Sequence, residues 1–355
     1  MTQVQAPLAS TALNTAAPDL ALPELEQLAA TFYGIEGQAR ALASERDQNC
    51  CIQCADGAQY VLKISNPSED VVVVNFQIAA LDHIAAVAPD LPTPRVVRTL
   101  DGQTTVPLRM QDGSTCTVRM LTYLDGVQVK GTVHTPGQRI AMGRSLAQLD
   151  LALRDFSHPA AHHDLLWNVS TAHRLHDKME SLIDPTHRQL AQRFMQRFTE
   201  HVLPRLPQVR AQVIHNDYHL YNTLVAPHEQ ERITGIIDFG DMLHAPLVGE
   251  VGTAAAFHMT GNADPFEAAA QFIGAYHEVL PLTDLELEIV TDLMATRHLI
   301  TALITQWRVL RYPHNRAYIM RHNPAAWEGL AQLDELSRQE ARDRLLSEIR
   351  HRRTT

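Results

Sequence analysis

The chain has no apolar run approaching the roughly 20 residues that a helix needs to cross a bilayer, which excludes a transmembrane helix. Its first twenty residues, rich in Ala, Thr and Pro, have neither a positively charged start nor an apolar centre and do not read as a signal peptide. Residues 1–21 are therefore expected to form a disordered tail, and the protein is expected in the cytoplasm. Gly-x-x-x-x-Gly-Lys is absent, which removes a P-loop nucleotide site, and Gly-x-Gly-x-x-Gly is absent as well. No His-Glu-x-x-His helix is present, so the 19 histidines are expected on the surface or in packing rather than around zinc. Cysteine is scarce. Cys50, Cys51, Cys54 and Cys116 lack a second Cys or His pair at zinc-finger spacing and are expected as buried or half-buried thiols. A formal net charge of −10 over 355 residues disfavours nucleic acid or an anionic membrane as partner. The 45% hydrophobic content supplies core enough for one globular unit or two lobes.

What is present centres on Val213-Ile-His-Asn-Asp217-Tyr-His-Leu-Tyr-Asn222, followed about sixteen residues on by Asp238-Phe239-Gly240. Phosphoryl transfer needs a carboxylate to orient the attacking hydroxyl and hard oxygen ligands for magnesium. His-x-Asp-x-x-x-x-Asn lets the Asp face an acceptor while the Asn reaches back toward a metal, and a second carboxylate on a neighbouring strand completes the set. Between the motifs, Thr223 to Ala226, a polar Pro-His-Glu-Gln-Glu turn and Ile233 to Ile237 read as a β-hairpin that would bring Asn222 and Asp238 side by side. Two unrelated loop aspartates are the alternative, since Asp and Asn are ordinary turn formers.

The motifs His215-Asn-Asp217-Tyr-His219-Leu-Tyr-Asn222 and Ile236-Ile-Asp238-Phe-Gly240-Asp241 resemble those of the aminoglycoside phosphotransferase family of small-molecule kinases. Within that family the chain is most similar to the hydroxylysine kinase and homoserine kinase branch. The likeness runs from about Leu22 to about Leu333 and is also carried by Glu45-Arg-Asp-Gln-Asn49, Tyr60-Val-Leu-Lys-Ile64, Leu121-Thr-Tyr-Leu-Asp-Gly126, and Trp307-Arg308 with Asn315 and Tyr318. The resemblance implies an α+β, protein-kinase-like two-lobed fold. A small β-rich, nucleotide-binding N-lobe would occupy 22–121, a hinge 122–126, and a larger helical C-lobe with the catalytic loop and substrate pocket 127–345, before a basic tail over 346–355. It further implies Mg2+-dependent transfer of the γ-phosphoryl group of ATP or GTP to a small hydroxylated acceptor, with Asp217 as catalytic base and Asn222 and Asp238 as metal ligands.

The remaining site residues come from local pattern together with that likeness. The turn Ser44 to Asn49 between two strands can fold over a triphosphate, with Arg46 supplying donors and Asn49 carried over from the related kinases. Lys63 lies mid-strand in Tyr60-Val-Leu-Lys63-Ile-Ser, where an ammonium can bind α- and β-phosphate oxygens. Leu121 and Thr122 stand at the place of the inter-lobe hinge that contacts adenine; a plain edge strand entering a turn is the other reading. Val71 to Ala88 should be the helix behind the phosphates. Its Lys-holding Glu is missing, and Asn75, with Asp82 a turn or two onward, is the nearest match.

Gly137 to Asp155 has helical spacing and should open the C-lobe, and 158–206 reads as helical with Pro185 and Pro204 as breakers. Asn216 replaces the Gly usual in relatives, in a turn that Asn tolerates, and Glu250 replaces a bracing Asp. Only about ten residues separate Asp241 from Glu250, too few for a peptide-docking segment. Helices over 265–280 and 284–310 would instead roof a small-molecule pocket, with Arg297 placed to clamp a carboxylate and Asp217 and Asp241 to meet an ammonium; an ordinary helix-surface arginine is the other reading of Arg297. The segment 333–353 reads as one charged amphipathic helix, packing on the lobe or joining a homodimer. A hydroxylysine-like acceptor is favoured; homoserine, choline or ethanolamine and aminoglycosides stand behind it, and a nucleotide-binding pseudokinase is the alternative of another class.

Overall fold

The computed structural model describes residues 17–44 and 46–352, so Glu45 and most of the expected tail lie outside the described residues. The described residues divide into two compact units, one comprising those up to 126 with 156–166 and 234–240, the other 127–155, 167–233 and those from 241 on.

The first unit opens with α1 (Leu22–Tyr33) and strands β1 (Gln38–Leu42), β2 (Gln48–Gln53) and β3 (Gln59–Ile64). Helix α2 (Val71–Val87) follows, capped by Asp70, whose side chain accepts from the Val72 N–H. Then come β4 (Val96–Val97), β5 (Val106–Arg109) and β6 (Thr115–Thr122). The sheet runs β1-β2-β3-β6-β4 with β5 also on β6, and every registered pair is antiparallel. The period-two alternation of a strand sorts its residues by face. Cys50, Ile52, Leu62, Ile64, Val118 and Met120 pack with Leu25, Ala29 and Tyr33 of α1. The opposite face carries a cross-strand row in which Lys63 lies against Asn49 on one side and Arg119 on the other. Cys50, Cys51 and Cys116 are buried and Cys54 partly so, all as free thiols.

The second unit contains β7 (Val127–Gln128), α3 (Pro136–Leu153), α4 (Pro185–Arg197), β8 (Ala211–Ile214), β9 (Thr223–Ala226), the start of β10 (Glu229–Ile236), β11 (Leu243–Pro246), α5 (Leu247–Ala256), α6 (Pro265–Val279), α7 (Asp284–Arg311), α8 (Asn323–Asp334) and α9 (Arg338–Arg352). The expected hairpin forms as β9 and β10, but its turn is only Pro227-His228, because Glu229 to Glu231 can extend with their charges in water. The stretch 158–206 is less regular than expected. It contains 3-10 segments at Pro159–His162 and Val169–Ser181, the latter interrupted at Thr171. Pro185 starts α4 rather than breaking a helix, since its missing N–H is not needed in a first turn capped by Asp184.

The expected single helix over 333–353 is two. Ser337 and Glu340 bond reciprocally, Ser337 N–H to Glu340 Oε2 at 2.9 Å and Glu340 N–H to Ser337 Oγ at 3.2 Å, and this capping pair starts α9 afresh. Helix α9 lies along α6: Arg344 pairs with Asp264 at 2.6 Å and stands over the Phe266 ring. Residues 346–352, expected as tail, are its last turns, and 353–355 lie outside the described residues.

Helix α7 is buried along most of its length, polar residues included, so it forms core rather than only a roof. Helices α3 and α6 approach so closely that a Cβ added to Gly143 would lie 2.3 Å from the Phe272 carbonyl oxygen. A backbone oxygen inside a packed helix cannot step aside. Gly143→Ala is therefore expected to destabilise this unit by about 1–3 kcal/mol, the usual penalty of overpacking. Thermal unfolding checks it, and an unchanged Tm would show that the two helices separate freely.

Candidate active site

The loop between β8 and β9 is held from below before any side chain in it is aimed. Asn216 has φ 63°, a left-handed geometry that Asn adopts more readily than most residues, as its place in the motif led one to expect. Its N–H donates to Glu250 Oε2 at 2.7 Å, from the first turn of α5. Tyr218 is fully buried and its hydroxyl donates to the Met142 carbonyl at 3.1 Å, tying the loop to α3. The Thr223 hydroxyl donates to the His219 carbonyl at 3.1 Å, closing the loop where β9 begins.

These restraints fix Asp217. Its Oδ2 accepts from Asn222 Nδ2 at 2.8 Å, and the same amide donates to the Asp217 carbonyl at 3.0 Å. Its Oδ1 faces Arg297 Nη2 at 3.3 Å and His219 Nε2 at 3.4 Å. Burial by itself would raise the Asp217 pKa, but the charges of His219, Arg297 and His215 and the His219 hydrogen bond outweigh it, holding the carboxyl well below its usual range. Glu250 goes the other way. Burial pushes it up to about 7, the Asp217 charge adds to the rise, and the Asn216 N–H opposes it.

Arg297 is the other half of this arrangement. It is 6% exposed, not the surface arginine its helix position allowed, and its guanidinium lies 5.2 Å from the Trp167 ring and 5.5 Å from that of Phe257. Burial lowers its pKa, and Asp217, Asp241 and Glu250 oppose that fall. Its Nε and Nη1 are buried without a hydrogen-bond partner, as are both polar atoms of the Asn216 side chain. The second unit thus brings Asp217, Asn222 and Arg297 together and sets Asp241 within electrostatic reach of Arg297. Sequence reasoning passed over His219, Trp167 and Phe257. His219 had a visible signal, its place inside the catalytic motif; the two aromatics had none.

In the first unit, Lys63 Nζ lies 4.0 Å from Asp238 Oδ1, with the lysine side chain 12% and the aspartate 55% exposed. Asp238 has φ 65°, and a Cβ at Gly240 would come within 3.3 Å of Asp238 Oδ1 and 3.9 Å of Arg46 Nη2. Arg46, Lys63 and Asp238 therefore belong to one neighbourhood. Asn49 sits on β2 rather than in the preceding turn, directly across from Lys63, with its Oδ1 buried and unpartnered. Leu121 and Lys63 border the same cavity of about 30 Å3. Thr122 is committed to Arg95: its N–H donates to the Arg95 carbonyl and its hydroxyl accepts the Arg95 N–H, both at 2.9 Å. A purine contact from Thr122 would have to come from its carbonyl.

The suggested lysine partners are misplaced. Asn75 is exposed, and Asp82 pairs with Arg98 at 2.7 Å. Of the α2 residues that border the same cavity as Lys63, the polar one is Gln77, 4% exposed. The available signal was its register, since Gln77 lies on the buried stripe of Val74, Ile78, Leu81 and Ile84.

Among the described residues no group of three or more His, Cys, Asp or Glu side chains is disposed to hold a metal ion. Magnesium does not require one, because it is usually held by one or two protein oxygens together with phosphates and water.

The model of the phosphotransferase enzyme family matches residues 39–287. Hydroxylysine kinase of Mus musculus is 27% identical over 345 residues, covering 91% of each chain, and that of Danio rerio 25% identical over 340 residues, covering 92% of this chain and 95% of its own. Among solved structures, an amicoumacin kinase bound to AMP-PNP and Ca2+ superposes with a TM-score of 0.66 at 15% identity, covering 91% of this chain and 94% of its own. A microcompartment-associated aminopropanol kinase gives 0.65 at 18%, covering 92% and 98%. The α+β, protein-kinase-like architecture is thus the one these enzymes share, with a β-rich N-terminal and a larger helical C-terminal region. With the family model spanning most of its length, the chain belongs to the phosphotransferase enzyme family, as a small-molecule kinase acting on an alcohol.

Proposed function

We propose that this kinase transfers the γ-phosphoryl group of ATP or GTP, with magnesium, to the hydroxyl of a small amino acid or amino alcohol, hydroxylysine-like compounds first. The observation that carries the reading is the half-buried Asp217 carboxylate, fixed by Asn222, Arg297 and His219 in a motif loop. The likeness to hydroxylysine kinases over nine-tenths of the chain supports the choice of acceptor. A carboxylate kept ionised orients the acceptor hydroxyl and accepts its proton as the oxygen attacks phosphorus.

On the nucleotide side, Lys63 and Arg46 would hold phosphate oxygens, Asn49 and backbone N–H groups of the turn before its strand would cover them, and Leu121 and Thr122 would meet the base. Each unit offers a donor suited to magnesium. Asp238 presents an exposed carboxylate, and because Asn222 directs its Nδ2 to Asp217, its amide oxygen is left as a hard donor. The ion, when bound, neutralises charge on the phosphates.

On the acceptor side, Arg297 has two buried N–H groups without partners and aromatic rings on either hand. A carboxylate accepting them would meet a preorganised, partly desolvated cation. Asp217 and Asp241 would draw an ammonium group to the same end of the molecule, so a zwitterion would be gripped at both poles. A cytoplasmic location fits the reading, and a homodimer is compatible with it.

Asp217→Asn is expected to lower kcat by about 10²–10⁴, the usual worth of a positioned base, while nucleotide affinity stays near wild type. Steady-state kinetics with a panel of hydroxylated amino acids and amino alcohols checks this. Near-normal turnover would sink the assignment of Asp217, and turnover of no member of the panel by the wild type would favour a pseudokinase.

Arg297 separates acceptor classes. Arg297→Ala is expected to raise KM for hydroxylysine about ten- to a hundredfold more than for its decarboxylated analogue, the size of one charge-assisted hydrogen-bonded contact. Equal effects on the two would remove the carboxylate clamp and point to an uncharged or cationic alcohol.

A further inference from the structure

We propose that Gln77 is the residue that positions Lys63, a neutral side chain doing from α2 what an ion pair would otherwise do. Three observations converge on it. Gln77 is 4% exposed on the buried stripe of α2, where an amide is costly unless both its ends are used. Its Nε2 donates to the Gly240 carbonyl at 3.2 Å, within the Asp238-Phe-Gly240 motif. Its Oε1 is buried with no hydrogen-bond partner, and the cavity it borders is lined by Lys63, Arg119 and Asp238.

A buried amide oxygen on a cavity that an ammonium also borders is an acceptor without its donor. The cavity, about 30 Å3, is large enough for one water. The Lys63 ammonium would then reach Oε1 through a single bridging water. One side chain then joins the strand lysine to the backbone of the metal motif. Because Gln77 is uncharged, the carboxylate next to Lys63 is that of Asp238, 4.0 Å away. A cation binding Asp238 would weaken that attraction and leave the ammonium to the nucleotide phosphates, still located by Gln77. Arg119 Nη1, also unpartnered, borders the same cavity and is the rival donor for Oε1.

This inference rests on the assignment of Lys63 to the phosphates, so its test must separate the two. Calorimetry on the full chain, with ATP plus Mg2+ and with adenosine alone, compares wild type, Gln77→Met, Lys63→Met and the double variant. Lys63→Met is expected to weaken ATP about ten- to a hundredfold and Gln77→Met about tenfold, with adenosine affinity unchanged in both. The double variant should bind ATP no more weakly than Lys63→Met alone. Gln77→Glu keeps the acceptor toward Lys63 while giving up the Nε2 donation to Gly240, and should weaken ATP by less than the roughly tenfold expected of Gln77→Met, which preserves the test if the Met variant does not fold. An Lys63→Met protein with normal ATP affinity would overturn the phosphate assignment beneath the proposal. With that assignment intact, Gln77 is ruled out by any of three results: a Gln77→Met loss that multiplies in full onto Lys63→Met, as pairing with Arg119 would give, an equal loss for adenosine, or no loss at all.

Discussion

A carboxylate largely withdrawn from water must be kept charged, and the catalytic loop is organised around doing that for the half-buried Asp217. Leaving an ion buried without compensation costs several kcal/mol, and the usual escape is protonation. Here Arg297 and His219 stand against one oxygen and Asn222 donates to the other. Arg297 needs the arrangement as much as Asp217 does, since burial lowers its own pKa and the Asp217 charge heads the influences that oppose the fall. Removing Asp217 leaves Arg297 as a buried charge without its nearest counterion, and removing Arg297 leaves Asp217 with His219 and Asn222 alone.

The scaffold beneath the pair follows from the same need. The left-handed turn at Asn216, the Glu250 bond to its N–H and the buried Tyr218 hydroxyl all fix backbone rather than side chain. A carboxylate cannot hold three partners at once if its own loop wanders. Glu250 does this work while itself shifted toward the protonated form, so the loop acquires a brace without a second full negative charge beside Asp217.

The parts of this site that could be read from sequence are those encoded by local spacing. Asp217 and Asn222 share one loop, Lys63 stands mid-strand in an alternating run and gains meaning from those motifs, and Asp238 follows a hairpin that forms with its second strand starting at Glu229 rather than at the expected Ile233. What could not be read depends on pairing across distance. Arg297 was visible as a candidate, but its contact with Asp217 joins residues 80 positions apart. Gln77 was hidden because a polar residue on an apolar helical stripe looks like noise until the partner face is known, whereas Asn75 and Asp82 look chemically apt and point elsewhere. The break before α9 was missed for a different reason: the capping pair of Ser337 and Glu340 is short and lies inside a charged run that reads as continuous helix. The 3-10 turns between residues 158 and 181 were read as regular helix because hydrophobic spacing does not report which hydrogen bond closes each turn.

The most direct test of this account is the titration of Asp217 itself, followed by 13C NMR of the labelled carboxylate and assigned by comparison with Asp217→Asn. With its folded pKa depressed below the ordinary value, the resonance should stay at the ionised position from about pH 8 down to about pH 4. A titration midpoint inside that window would mean that burial, not Arg297 and His219, governs the group, and the base at the centre of the site would be lost.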